Sequence, residues 1–261
     1  MKRIIHITFW IIMCLGTLVL LGFVSNSQGN TECKKVEIHV DYSNGMYFIT
    51  KEDIEERMKR NHLYPIGLKM SDIDIAGIEE NITKLAEIEK AEVYKTIDGT
   101  VGVRIAQRKP IVRIINLNGR NFYLDEKGYQ MPVSGNYSPR VIVVNGYISE
   151  PEVDISAEEI AFDTTLRKSF KTDDVYKMAK FISNDPFWSA QVQEIYFNRY
   201  GEMELVPVVG DHRIVFGDTE MMEEKFNKLK LFYREGIKKT GWNQYDTINL
   251  KYKNQIVCSK K

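Results

Sequence analysis

The side chains able to do chemistry are few and scattered. The four histidines, His6, His39, His62 and His212, are far apart, and His6 falls in an apolar run. Cys14, Cys33 and Cys258 form no CxxC pair, which excludes a cysteine-rich zinc module and a disulfide scaffold. A Cys33–Cys258 bridge would join the start of one predicted domain to the end of another, so free thiols are the preferred reading. The acid pairs Glu55-Glu56, Glu79-Glu80 and Glu223-Glu224 sit in predicted helices. Adjacent helical residues point about 100° apart, so these pairs read as solvated faces, not acid/base couples. Phosphate loops, dinucleotide fingerprints, HExxH and GxSxG are all missing from the sequence. The expectation is a protein with no catalytic residue, no cofactor, no metal and no small-molecule substrate. With 36 basic and 36 acidic residues in 261, nucleic-acid binding is not expected either.

What remains is organisation. Ile4–Val24 is apolar, without Asp, Glu, Lys or Arg. As a helix it would reach roughly 32 Å, enough to cross a hydrocarbon core of about 30 Å. Lys2 and Arg3 ahead of it favour residues 1–3 as a cytoplasmic head and the bulk outside. Ser25 and Ser27 would suit a signal peptidase, but signal h-regions run only about 7–15 residues, so an uncleaved anchor is preferred.

Beyond it the pattern predicts two α+β units. In the first, 33–107, Val36, Ile38 and Val40 alternate as a strand. Thr50-Lys-Glu-Asp53 starts a helix carrying Ile54 and Met58. Ser71-Asp-Ile-Asp74 starts a second, with Ile75, Ile78, Ile82 and Leu85 on one stripe. A hairpin follows. A three-residue loop, Ile97-Asp98-Gly99, sets Val101, Val103 and Ile105 opposite Lys95, Val93 and Ala91. It gathers most apolar side chains on one face and gives Gly99 the left-handed bulge position. In the second unit, 108–258, hairpins are expected across Asn118-Gly119 and Tyr200-Gly201, and a strand over Val141–Ile148. Helices are expected over Asp173–Asn184 and Glu220–Ile237, the latter with Met222, Phe226, Leu229 and Tyr233 on one stripe. Residues 149–171 read as a loop with one helical turn, and Thr247–Cys258 as a final extended segment. The predicted architecture is a mostly antiparallel β domain with two helices.

Strand, helix, helix, strand, strand, directly after an apolar anchor, resembles the POTRA domain of the bacterial FtsQ/DivIB cell-division family. The stretches carrying the resemblance are Leu68–Ile73, Ile88–Tyr94 and Val101–Ile105. Gln107-Arg108-Lys109-Pro110-Ile111 is similar to that family's junction between its two outer domains, with Gln107 where the family has Glu. Phe122–Pro132, Ile214–Gly217 and Asp246–Cys258 extend the likeness over nearly the whole chain. The resemblance implies a non-enzymatic divisome scaffold at the septum, spanning the inner membrane once with its bulk periplasmic. It would link early and late division proteins and bind FtsB- and FtsL-like partners by strand addition at its last strand. Carried over residue by residue, the partner-binding positions are Leu250, Lys251, Tyr252, Lys253 and Asn254. A POTRA-type chaperone or transport module for outer-membrane polypeptides is the alternative, and an anchored envelope enzyme a third reading.

Overall fold

The computed structural model describes residues 9–17, 31–43, 45–135, 137–153, 155–237 and 241–261. Residues 9–17 are helical; the rest of the expected anchor, 4–8 and 18–24, lies outside the described residues. Among those described, no helix is long and apolar enough to cross a membrane. The remainder divides into two compact units between Gln107 and Arg108.

The first unit runs β1 (Lys35–Val40), α1 (Lys51–Arg60), α2 (Ile75–Thr83), β2 (Ile88–Lys95) and β3 (Thr100–Gln107), with sheet order β1-β3-β2. Thr50 and Asp53 form a reciprocal capping box that starts α1. Asp74, not Ser71, caps α2 by accepting from Gly77 N–H. Ile54, Met58, Ile78 and Ile82 are buried beside Val101, Val103 and Ile105 in one core. The hairpin takes the three-residue loop: Thr96 N–H bonds Thr100 O, and Lys95, Val93 and Ala91 face Val101, Val103 and Ile105.

Gln107 ends β3 with its amide buried. Its oxygen accepts from the N–H groups of Phe48 and Ile49, and its nitrogen donates to the carbonyls of Asp41 and Met46. A carboxylate has no donor for those two carbonyls. Gln107 therefore ties Asp41 and Met46 to Phe48 and Ile49 as only an amide can.

The second unit runs β4 (Pro110–Ile115), β5 (Asn121–Asp125), β6 (Gln130–Pro132), β7 (Ile142–Gly146), α3 (Ala157–Phe162), α4 (Thr164–Ser169), α5 (Thr172–Asn184), α6 (Pro186–Gln191), β8 (Val192–Phe197), β9 (Met203–Pro207), β10 (Arg213–Gly217), α7 (Met222–Leu231), β11 (Tyr245–Asn249) and β12 (Val257–Lys260). The nine strands form one sheet, ordered β12-β11-β10-β9-β8-β7-β4-β5-β6. One expectation is corrected here: the described residues hold five helices in this unit rather than two. The sheet is mostly antiparallel, as expected, with parallel pairings at β4–β7, β7–β8 and β10–β11. Within 149–171, expected as a loop with one helical turn, lie two helices, α3 and α4, started by a Ser156–Glu159 capping box and an Asp163 cap. α7 continues into one π-helical turn, Phe232–Gly236.

One turn recurs four times among the described residues. Gly99, Gly119, Gly128 and Gly201 each donate N–H to the carbonyl three residues back, in hairpins closed by 96/100, 116/120, 125/129 and 198/202. All four glycines have positive φ, the bulge conformation a three-residue loop demands. The third is locked from outside. Asp125, 2% exposed, accepts from Lys127 and Tyr129 N–H and from Arg108 at 2.8 Å, while Arg108 lies over the Tyr129 ring. Arg108 of the junction and Asp125 of the turn are thus a single device. Glu150 is buried too, and its carboxylate accepts from Lys171 and Thr172 N–H. It caps α5, whose own N-cap residue makes no side-chain cap bond.

Candidate functional site

The expected partner-binding segment sits at one end of the nine-stranded sheet, but it is not a strand. Leu250–Asn254 is the loop between β11 and β12, and the sheet's outermost strand is Val257–Lys260. The chain turns because Asn254 takes a left-handed φ of 59° and the Asn249 side chain accepts from Lys251 N–H. The five residues have different jobs. Leu250 is fully buried in the core, and its N–H bonds Val215 O on β10. It anchors the loop and is not available to a partner. Lys251 lays its stem against Gly217, where a Cβ would meet it at 3.0 Å, and bonds its ammonium to Glu202. That bond raises the Lys251 pKa and lowers that of Glu202. Lys251 is thus paired with an acid from the β8–β9 hairpin of this same chain. Tyr252, half-exposed, and the exposed Lys253 and Asn254 form the outer surface.

Lys228, on α7, holds the loop in place. Its ammonium donates to Leu250 O at 3.1 Å and Tyr252 O at 2.7 Å. Beside it a shallow groove of ≈ 410 Å³ is lined by Glu224, Asn227, Lys228, Leu231 and Asn254. Leu231, in the groove, and Val257, on β12, are both about half-exposed. Lys228 was invisible in the sequence because nothing local marks a lysine that reaches a loop 22 residues away.

Among the described residues β12 pairs only with β11. Lys261 N–H bonds back to Gln244 O, and Val257 opposes Asn249. Alternation along an antiparallel strand then turns the N–H and C=O of Cys258 and Lys260 outward. Burial of the Cys258 side chain raises its thiol pKa. The far end is clasped by Lys261 on Asp211 at 2.6 Å. Next to it lies His212, 2% exposed, with Nε2 2.9 Å from the Tyr233 hydroxyl and its ring stacked on Trp242. Burial lowers the His212 pKa and raises that of Tyr233.

No cluster of three or more metal-ligating side chains occurs among the described residues. His39 and Cys33, both in the first unit, hold no shared ligand site; Cys33 is buried and its thiol donates to Lys35 O. All three cysteines are free.

The chain is built of two α+β units, the second ending in a strand that, among the described residues, is paired on one side only. A family model described as FtsQ/DivIB, C-terminal related, matches residues 109–259, and one described as a POTRA-like domain matches 31–106. The chain belongs to the FtsQ/DivIB family. It is 26% identical over 202 residues to a cell division protein FtsQ of Rhodothermus marinus, covering 75% of this chain and 68% of that protein. To a cell division protein FtsQ of Geotalea daltonii it is 24% identical over 226 residues, covering 83% and 78%.

Proposed function

We propose that this chain is a membrane-anchored scaffold of the division machinery, and that it holds FtsB- and FtsL-like single-pass partners by strand addition at β12. The observation that carries this is the outer edge of β12, which among the described residues is paired on one side only, so that alternation from Lys261 turns the Cys258 and Lys260 main-chain groups outward. Unpaired strand groups recruit a strand because each needs a hydrogen bond, and side-chain pockets alongside supply selectivity. Family membership and the relatives' names support the division role. The Ile4–Val24 segment supports a single membrane span. Of the five expected binding residues, Tyr252, Lys253 and Asn254 remain candidates for direct contact; Lys251 acts through its grip on Glu202.

The test is affinity purification of tagged full-length protein from solubilised membranes, with mass spectrometry of what accompanies it. Wild type should enrich small single-pass division proteins. Lys260→Pro should lose them while keeping the wild-type fold, because the neighbouring Lys261 N–H points to Gln244 O on the β11 side and alternation turns the Lys260 N–H the other way. Equal recovery with Lys260→Pro would refute strand addition here, and enrichment of outer-membrane assembly factors would refute the division role.

A further inference from the structure

The chain enters the first unit at Thr31–Lys34, between two loops. On one side Cys33 N–H bonds Leu68 O, Gly67 N–H bonds Cys33 O and Met70 N–H bonds Thr31 O. On the other Lys34 N–H bonds Gly99 O, at the tip of the β2–β3 hairpin. These two loops carry large aliphatic side chains in water: Ile66 is 48% exposed, Leu68 46% and Ile97 81%. Single exposed aliphatics are ordinary, but three at the end of a small unit where the chain enters are not scattered.

Their position is tied to the apolar segment by chain length. Only Ser25–Asn30 separates Val24 from Thr31. Those residues reach at most about 25 Å when fully extended. With Ile4–Val24 in a bilayer, this end of the unit cannot leave the neighbourhood of the lipid surface. Lys34 and Lys69 are exposed here and can reach headgroups, while the acids Glu32 and Asp98 offset them. Apolar contact, not charge, would therefore do the binding.

We propose that the Ile66, Leu68 and Ile97 end of the first unit rests in the interface of the membrane that holds the anchor. The inference relies on the anchor of the proposed function, and deepens it: the first unit is not a free tether but sits on the lipid, which fixes how far from the membrane the second unit begins.

The experiment uses full-length protein in vesicles of phosphatidylethanolamine and phosphatidylglycerol. Single nitroxide labels replace Ile12, Leu68, Ile97 and Leu117 in a background of Cys14→Ala and Cys258→Ala; buried Cys33 stays. Leu117, 67% exposed on a hairpin of the second unit, is the water reference. Collision with oxygen and with a water-soluble nickel chelate is compared at each site. Labels at 68 and 97 should show a several-fold loss of chelate access relative to 117, and gain oxygen access. Chelate access at 97 equal to that at 117, with the label at 12 oxygen-rich, overturns the inference and leaves the anchor standing. Chelate access at both 12 and 97 overturns the anchor reading itself. Protection at 97 that grows with protein-to-lipid ratio overturns the inference in favour of a second copy covering the patch.

Discussion

The two ends of the nine-stranded sheet are finished in opposite ways. At the β6 end the strand is only three residues long and closes with Pro132, which has no donor. A strap lies across it: the Gln130 amide donates to Pro151 O at 3.0 Å and accepts from Val153 N–H at 3.2 Å. Glu150 and the Arg108–Asp125 pair hold the surrounding turns. At the β12 end no strap is found among the described residues. There the structure fixes the loop and leaves the strand: Lys228 grips the loop carbonyls, Lys251 grips Glu202, Lys261 grips Asp211. Exposed Lys260 and Lys261 discourage indiscriminate pairing without removing an N–H. An edge that is sealed is a device for solubility; an edge that is held rigid yet unpaired suits a docking site, because little order is lost on binding.

The largest effect that can break this contrast lies at the sealed end. Asp125→Ala leaves Arg108 without its acid and two backbone N–H groups without an acceptor, and should cost about 3–5 kcal/mol by chemical denaturation. Retained stability would mean the sealed end is not held by that pair. Next, Gln130→Ala releases the strap and should cost about 2 kcal/mol, with faster amide exchange at Val153 and increased self-association. Unchanged exchange would show the strap is held by something else.

The third prediction concerns the clasp at the open end. Burial holds the His212 pKa below its ordinary value, although the Asp211 carboxylate and the Trp242 backbone pull it upward. In the unfolded chain it would titrate near about 6.5, so the unfolded state binds the extra proton first. The His212 contribution is thus present above about pH 6.5 and is lost as pH falls toward the folded value, by at most about 1.4 kcal/mol per pH unit. Melting of wild type and His212→Gln between pH 7.5 and 5.5 should show the smaller pH slope in the variant. The smallest effect is Lys251→Met. Its ion pair is 41% and 33% exposed, so solvent screening leaves about 0.5 kcal/mol or less. A loss well above that would make Lys251 a pillar of the loop rather than a trim.

Much of this was readable from residues. The register of the β2–β3 hairpin followed from matching Val101, Val103 and Ile105 to Ala91 and Val93, since a one-residue slip would split them. The glycines of the hairpin loops and the Thr50 capping box carried their own chemistry. What failed was of two kinds. α3, α4 and α6 are six residues each, too short to display a helical period, though Ser156-x-x-Glu159 and Asp185-Pro186 were legible start signals. The parallel pairings join strands separated by long connections, β4–β7 across two other strands and β7–β8 across four helices, which local periodicity does not encode. The position of the open edge was missed for a related reason. Leu250–Ile256 has no Gly or Pro, so one extended segment was read through what is a loop made by Asn249 and Asn254. The outermost strand therefore begins at Val257 rather than within 250–254, and of the five expected residues Tyr252, Lys253 and Asn254 stay exposed on the loop before it.

The central claim is that β12 is the edge a partner strand joins. Amide hydrogen exchange of full-length protein, alone and with FtsB- and FtsL-like partners in one membrane, tests it at single residues. The account predicts marked slowing at Cys258 and Lys260, with Val153 at the sealed end unchanged. Exchange at Cys258 and Lys260 that stays fast in the assembled complex would contradict it.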